Sequence, residues 1–209
     1  MRVVIFDMDG TLIDSSKDIT ISINYVRERN HQLEPLSEEF VIKAINMQER
    51  NLPKLFYTTE DYKDDDRAVF EKHYAKQCVK NLYLYDGVLE VLQTLKNHGV
   101  KLSVATNAPT KFAKIMLKSL DVDSYFDMIV GADKVQIPKP NPMMLEFILE
   151  DYGFKKGEDL AWVVGDSLKD VESATNANLK SLFALWGFSP ISSYKNKISS
   201  PKEIINIVL

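Results

Sequence analysis

Val3-Val4-Ile5-Phe6-Asp7-Met8-Asp9-Gly10-Thr11-Leu12 sets an apolar run directly against two acids and a glycine. A β-branched apolar run that stops abruptly in acids reads as a strand buried on both faces, with its carboxyl end at Asp7. Open α/β sheets bind ligands at such strand ends. Asp7 and Asp9, two residues apart, repel each other, so a bound cation or a shared proton is expected there. Gly10 permits a tight turn just beyond them. A plainer alternative is a polar strand cap, since Asp-Gly is a common turn pair.

Working outward, residues 102–105, 128–130 and 161–164 repeat the short apolar pattern, and 181–185 does so more weakly. Helical stretches lie between them. In 109–120 the apolar residues Phe112, Ile115, Met116 and Leu120 form one stripe. Asn141-Pro142 opens a second stretch, with Pro suited to a first helical turn, and 167–177 is a third. This alternation predicts an α/β fold: an open parallel, Rossmann-like sheet with helices on both faces. Residues 15–81 break the alternation. Ile19, Ile23 and Val26, then Phe40, Val41, Ala44 and Ile45 behind a Ser37 turn, then Ala68, Val69 and Val79 suggest helices. The expected division is a catalytic core of 1–14 and 82–209, with an all-helical cap of 15–81 inserted after the first strand.

Composition excludes other classes. The chain has 209 residues, 45% hydrophobic and 27% charged, ordinary values for a folded domain. Thirty acids against 26 bases, a net charge of -4, disfavour a nucleic-acid partner held by phosphate neutralisation. No apolar run approaches the roughly 18 residues of a membrane span, so no membrane partner is expected. A lone cysteine, Cys78, rules out an internal disulfide framework. The apolar run before Asp7 is too short for a signal peptide, so the expected setting is cytoplasmic. Size suggests a monomer or weak homodimer.

Further acids stand at another strand end. Gly165-Asp166-Ser167-Leu168-Lys169-Asp170 follows the 161–164 run and puts Asp170 one helical turn beyond Asp166. If the two strands are neighbours, Asp7, Asp9, Asp166 and Asp170 converge into a site for a hard, oxygen-loving cation such as Mg2+. Asp166 or Ser167 could equally serve as a helix N-cap. Thr106-Asn107 ends the 102–105 strand just before a helix, where a hydroxyl and backbone donors suit an anionic oxygen. Lys139 sits between Pro138 and Pro140 in a rigid segment leading to the next helix. Taken singly, Thr106 reads as an N-cap and Lys139 as solvated surface.

The order Asp7-Met8-Asp9-Gly10-Thr11, Thr106, Lys139 and Gly165-Asp166-Ser167 to Asp170 resembles the haloacid dehalogenase superfamily across nearly the whole chain. The helical insertion resembles the cap of its phosphoglycolate-phosphatase and phosphoglucomutase-like branch. The resemblance implies Asp7 as nucleophile and Asp9 as general acid and base. It implies Thr106 and Lys139 as holders of the phosphoryl group, with Asn107 a further substrate-binding candidate from its place beside Thr106. Mg2+ would be held by Asp7, the Asp9 carbonyl and Asp166, with Asp170 as ligand or support. Dehalogenases and phosphonatases of the superfamily lack an acid at the Asp9 position. The implied activity is therefore a phosphatase of small phosphorylated metabolites working through an aspartyl-phosphate. The alternatives are a phosphosugar mutase, from which Thr11 in place of a common Val leans away, a pyrophosphatase, or a non-catalytic binding member. Family members usually have Gly where Asn178 stands, and Asn tolerates the positive φ that such a turn needs.

Substrate contacts from the cap are less legible. Asn46-Met47-Gln48-Glu49-Arg50 stands where relatives often carry a Gly-rich loop. Arg50 and Lys54 are candidates to meet an anionic group, with solvated charge as their plainer reading. The run 60–66 reads as a solvated acidic connection, His31, His73 and His98 as surface residues, and Cys78 as a small packed side chain.

Overall fold

A computed structural model describes residues 1–47, 50–189 and 193–209. Strand β1 (Arg2–Phe6) carries its four apolar residues fully inside, and β2 (Ile13–Asp14) follows the acidic turn. Helices α1 (Ser16–His31), α2 (Glu38–Asn46), α3 (Leu52–Tyr57) and α4 (Asp64–Gln77) come next, then β3 (Tyr83–Leu84). The rest alternates: α5 (Val88–Asn97), β4 (Lys101–Thr106), α6 (Thr110–Ser119), β5 (Met128–Gly131), α7 (Met143–Asp151), β6 (Leu160–Gly165), α8 (Leu168–Asn176), β7 (Lys180–Ala184), β8 (Lys197–Ile198) and α9 (Glu203–Val208). The chain divides into two compact units, Met1–Asp14 with Leu84–Leu209, and Ser15–Tyr83.

In the first unit six strands make one sheet in the order β5-β4-β1-β6-β7-β8, every pair parallel. The α/β parallel-sheet expectation holds. Val3 and Ile5 pack with Ala161, Val163, Met144, Leu145 and Ile148 on one face. Val4 and Phe6 alternate to the other face and are equally buried, so β1 is covered on both sides. Register then fixes the working edge. Phe6 pairs with Val104 of β4 and Val164 of β6, which brings the chain after Phe6, after Thr106 and after Gly165 to the same end of the sheet. The strand order reverses direction around β1, the place where such sheets leave a crevice.

Helices α5, α9 and α3 and strand β8 lie outside the sequence expectation. Helix α5 carries an apolar stripe at Val88, Val91, Leu92 and Leu95, a helical signal as plain as the one in α6. Helix α3 is only six residues long and depends on Asn51, whose side chain accepts the Lys54 N–H. Asn178 adopts φ 57, the left-handed turn expected of it in place of Gly. Among the described residues no helix is long and apolar enough to cross a membrane.

The second unit is helical, packed around Ile23, Val26, Val41, Ala44, Phe56 and Tyr57. Ser37 caps α2 by accepting the Phe40 N–H, as its position suggested. The acidic run is not merely a solvated connection. Asp64, Asp65 and Asp66 form the first turn of α4, where negative charge suits the helix dipole. Asp66 is buried and meets His31 Nε2 at 2.8 Å and Asn30 Nδ2 at 2.9 Å. His73 is likewise engaged, stacked on Tyr25 with Nδ1 2.9 Å from Ser22 Oγ. Cys78 is fully buried.

Candidate active site

Asp7 continues the β1–β6 ladder by one residue, its N–H donating to Val164 O at 2.8 Å. The chain then turns back on Met8, whose carbonyl accepts from Thr11, Leu12 and Ile13. Gly10 holds φ 82 in this turn, and a Cβ there would also strike the Asp166 carboxylate. Gly10 thus serves both the turn and the close approach of two acidic segments.

Lys139 is the hub. Its ammonium, 5% exposed as a residue, donates to Asp7 Oδ1 at 2.9 Å and Asp170 Oδ1 at 2.6 Å. The solvated-surface reading of Lys139 therefore fails. Asp170 Oδ2 accepts the Ser167 hydroxyl at 2.6 Å and its N–H at 3.2 Å. One Asp170 oxygen thus closes the helix cap at Ser167 while the other meets Lys139. Gly165 leaves the room that the Asp170 side chain occupies.

Asp166 Oδ2 accepts the Phe188 N–H at 2.7 Å, and Thr11 Oγ1 stands 3.5 Å from its other oxygen. Carboxylate oxygens of Asp7, Asp166 and Asp170 lie within 4.8 Å of one another. Burial, reinforced by Asp170, pushes Asp7 from its ordinary 3.8 up to about 7 even though Lys139 pulls it down. Burial also raises Asp166 well above its usual range, with Asp7 and Asp170 adding to it. Burial works against the Lys139 charge, but Asp170 and then Asp7 outweigh it and hold the ammonium protonated. One buried lysine against these acids leaves uncompensated negative charge. An all-oxygen donor set with that deficit fits a hard divalent cation.

Asp9 is half-buried and close enough for its charge to raise Asp7 further. Thr106 is buried at the end of β4, its hydroxyl oxygen accepting the Ala108 N–H at 3.1 Å. The Asn107 side-chain amide is taken up by the Lys139 backbone. Nδ2 donates to Lys139 O at 2.9 Å, and Oδ1 accepts Lys139 N–H at 3.0 Å. Arg50 belongs to the helical unit, where its guanidinium donates to Ile45 O and Met47 O and so closes the carboxyl end of α2. That engagement is a structural reason for Arg50 that charge alone did not suggest. Of the segment 46–50, Gln48 and Glu49 lie outside the described residues. Lys54 pairs with Glu60 at 2.8 Å on the surface.

Sequence reasoning missed Trp186-Gly187-Phe188. Trp186 Nε1 donates to Thr11 O at 3.0 Å, steadying the acidic turn from the end of β7. A Cβ on Gly187 would collide with the Gly10 carbonyl and with Asp166. The available signal was positional: a glycine between aromatics at the carboxyl end of the fifth apolar run.

This sheet, with acids after its first and fourth long strands and a lysine between them, defines a hydrolase class. The family model for haloacid dehalogenase-like hydrolases matches residues 4–184, and the chain belongs to that family. It is 32% identical to the phosphoglycolate phosphatase of Aquifex aeolicus over 210 residues, covering 100% of this chain and 97% of that one. It is 30% identical to the phosphoglycolate phosphatase of Vibrio parahaemolyticus, covering 92% and 89%. Among solved structures, a predicted phosphoglycolate phosphatase from Haemophilus somnus shares the fold with TM-score 0.84 at 24% identity, covering 99% and 97%. A predicted phosphatase from Clostridium acetobutylicum matches with TM-score 0.77 at 25% identity, covering 99% and 97%.

Proposed function

We propose that the chain is a magnesium-dependent phosphatase of small phosphorylated metabolites, with phosphoglycolate the first substrate to test. The observation that carries the reading is the Lys139 ammonium held between Asp7 and Asp170 beside Asp166. Relatives named phosphoglycolate phosphatase support the substrate class. The helical unit would serve as the cap, in a cytoplasmic enzyme that is a monomer or weak homodimer.

Mg2+ would be held by Asp7, Asp166 and the Asp9 carbonyl, and when bound it supplies positive charge against phosphoryl oxygens and the Asp7 carboxylate. Both Asp170 oxygens already accept hydrogen bonds, so Asp170 serves chiefly to orient Lys139 and Ser167. In the first step an Asp7 oxygen attacks phosphorus, forming the aspartyl-phosphate as the bond to the leaving oxygen breaks. Asp9 gives its proton to that leaving oxygen. In the second step Asp9 takes a proton from water, whose oxygen attacks phosphorus and breaks the bond to Asp7, releasing phosphate. Thr106 through its O–H and Lys139 through its ammonium hold the phosphoryl oxygens, where charge placement does most of the catalytic work.

The test is phosphate release from p-nitrophenyl phosphate with and without Mg2+, followed by a metabolite panel that includes phosphoglycolate. Mg2+-dependent release that disappears in Asp7→Asn, with folding retained, is the expected result. Turnover by a folded Asp7→Asn protein, or no release anywhere in the panel, defeats the reading. Transfer of the phosphoryl group to a second sugar position instead of water would make the chain a mutase.

A further inference from the structure

We propose that Asn107 is a positioning residue that fixes the Lys139 ammonium relative to Asp7, and this rests on the phosphatase reading above. Lys139 lies in a loop, between the end of β5 and the start of α7, where no ladder or helix holds the backbone. Its neighbours Pro138 and Pro140 have no N–H, so Lys139 carries the sole backbone donor of residues 138–140. One side chain satisfies both of its backbone groups. Asn107 Oδ1 accepts the Lys139 N–H at 3.0 Å while Nδ2 donates to the Lys139 carbonyl at 2.9 Å.

The anchor point matters as much as the bonds. Asn107 directly follows β4, which pairs on one side with β1 and on the other with β5. Asp7 directly follows β1, and Phe6 is in register with Val104. The clamp therefore references the lysine to the same sheet edge that carries Asp7. The lysine side chain is long and has several rotatable bonds, and a drifting backbone would let its ammonium leave one of its two carboxylates. Asn107 also abuts Thr106, so one residue coordinates the two groups assigned to the phosphoryl oxygens. A group that acts on a transferring phosphoryl loses about 100-fold in rate for a misplacement of about 1 Å.

Asn107→Ala removes both bonds, and Asn107→Asp keeps the acceptor for the Lys139 N–H but turns an oxygen toward the Lys139 carbonyl. Expected kcat falls about 30- to 100-fold in Asn107→Ala and at least as far in Asn107→Asp, with KM within about threefold in each. Affinity for orthovanadate, whose vanadium takes the five-coordinate geometry that phosphorus takes in the transition state, should fall in parallel with kcat. In a Lys139→Ala background the further change Asn107→Ala should cost less than about threefold, because the residue acts through the lysine. Should Asn107→Ala not fold, the kcat and vanadate affinity of Asn107→Asp decide the matter. Wild-type kcat in the variants, or an undiminished loss in the Lys139→Ala background, overturns the proposal. A wild-type chain without phosphatase activity instead defeats the functional reading, which separates the two failures.

Discussion

Gly187→Ala tests how the newly found segment 186–188 supports the site. A Cβ at residue 187 would lie 2.5 Å from Asp166 Cβ and 2.7 Å from Asp166 Oδ2, and would press on the Gly10 carbonyl. Carbon atoms in contact settle near 3.5–4.0 Å, so the segment must retreat by about 1 Å. Nothing nearby yields cheaply, since Gly10 O is backbone and Asp166 is 1% exposed. The retreat draws Phe188 N–H from its 2.7 Å bond to Asp166 and Trp186 from its 3.0 Å bond to Thr11 O. Losing a charge-assisted and a neutral hydrogen bond lowers stability by about 2–4 kcal/mol. With Mg2+ held as proposed, loosening the support of Asp166 should weaken its binding about 10- to 100-fold. Gly153→Ala is the control: its φ of 62 carries strain of about 1 kcal/mol, but nothing lies within 4 Å of the added carbon. Calorimetric Mg2+ titration and denaturant unfolding of both variants give the comparison. Equal Mg2+ affinity in wild type and Gly187→Ala, with unfolding midpoints also equal, would mean that residues 186–188 do not support Asp166.

Three further outcomes follow from the charges and their partners. Asp7 ionises near 3.8 when unfolded but near about 7 when folded. Its contribution to metal-free stability is complete below 3.8 and declines as pH rises to about 7, by on the order of 4 kcal/mol. The raised Asp166 acts in the same direction, and Lys139 stays charged throughout that range. Mg2+ should therefore raise the melting midpoint more at pH 8 than at pH 5, and an equal increment at both would count against the assignment. Lys139→Met leaves buried carboxylates without their partner, which costs about 3–5 kcal/mol at pH 8 and less at pH 5, where they can protonate. Urea unfolding at the two pH values checks this. In the helical unit, buried Asp18 accepts from Gln77 Nε2 at 2.8 Å, Asn81 N at 2.9 Å and Asn81 Nδ2 at 2.6 Å. Asp18→Asn turns a donor toward those donors and should cost about 3 kcal/mol, measured by chemical unfolding, without altering Mg2+ affinity.

Much of the fold was legible because its signals are local. Strands β1, β4 and β6 are short apolar runs buried on both faces, and each of them ends at a polar turn. Helix α3 was illegible for the opposite reason: six residues cannot display a helical period, and its start rests on one Asn51 cap. Helix α5, by contrast, carries its period locally, in Val88, Val91, Leu92 and Leu95.

The site divides along the same line. Asp7 and Asp166 stand at strand ends by virtue of the strand pattern and chain order alone. What each polar group meets depends on how the chain folds. Whether Lys139 is solvated or buried depends on packing 32 residues away, at Asn107, and on the Asp170 oxygen it meets. Asp170 reads as a helix cap and as a site candidate at once, and only the fold sends one of its oxygens to Ser167 and the other to Lys139. Trp186 and Gly187 reach Thr11 and Gly10 across roughly the length of the chain, through a hydrogen bond and a close approach that no periodicity encodes. Strand formation follows from neighbouring side chains, whereas the charge state of a buried carboxylate follows from what the whole fold brings beside it.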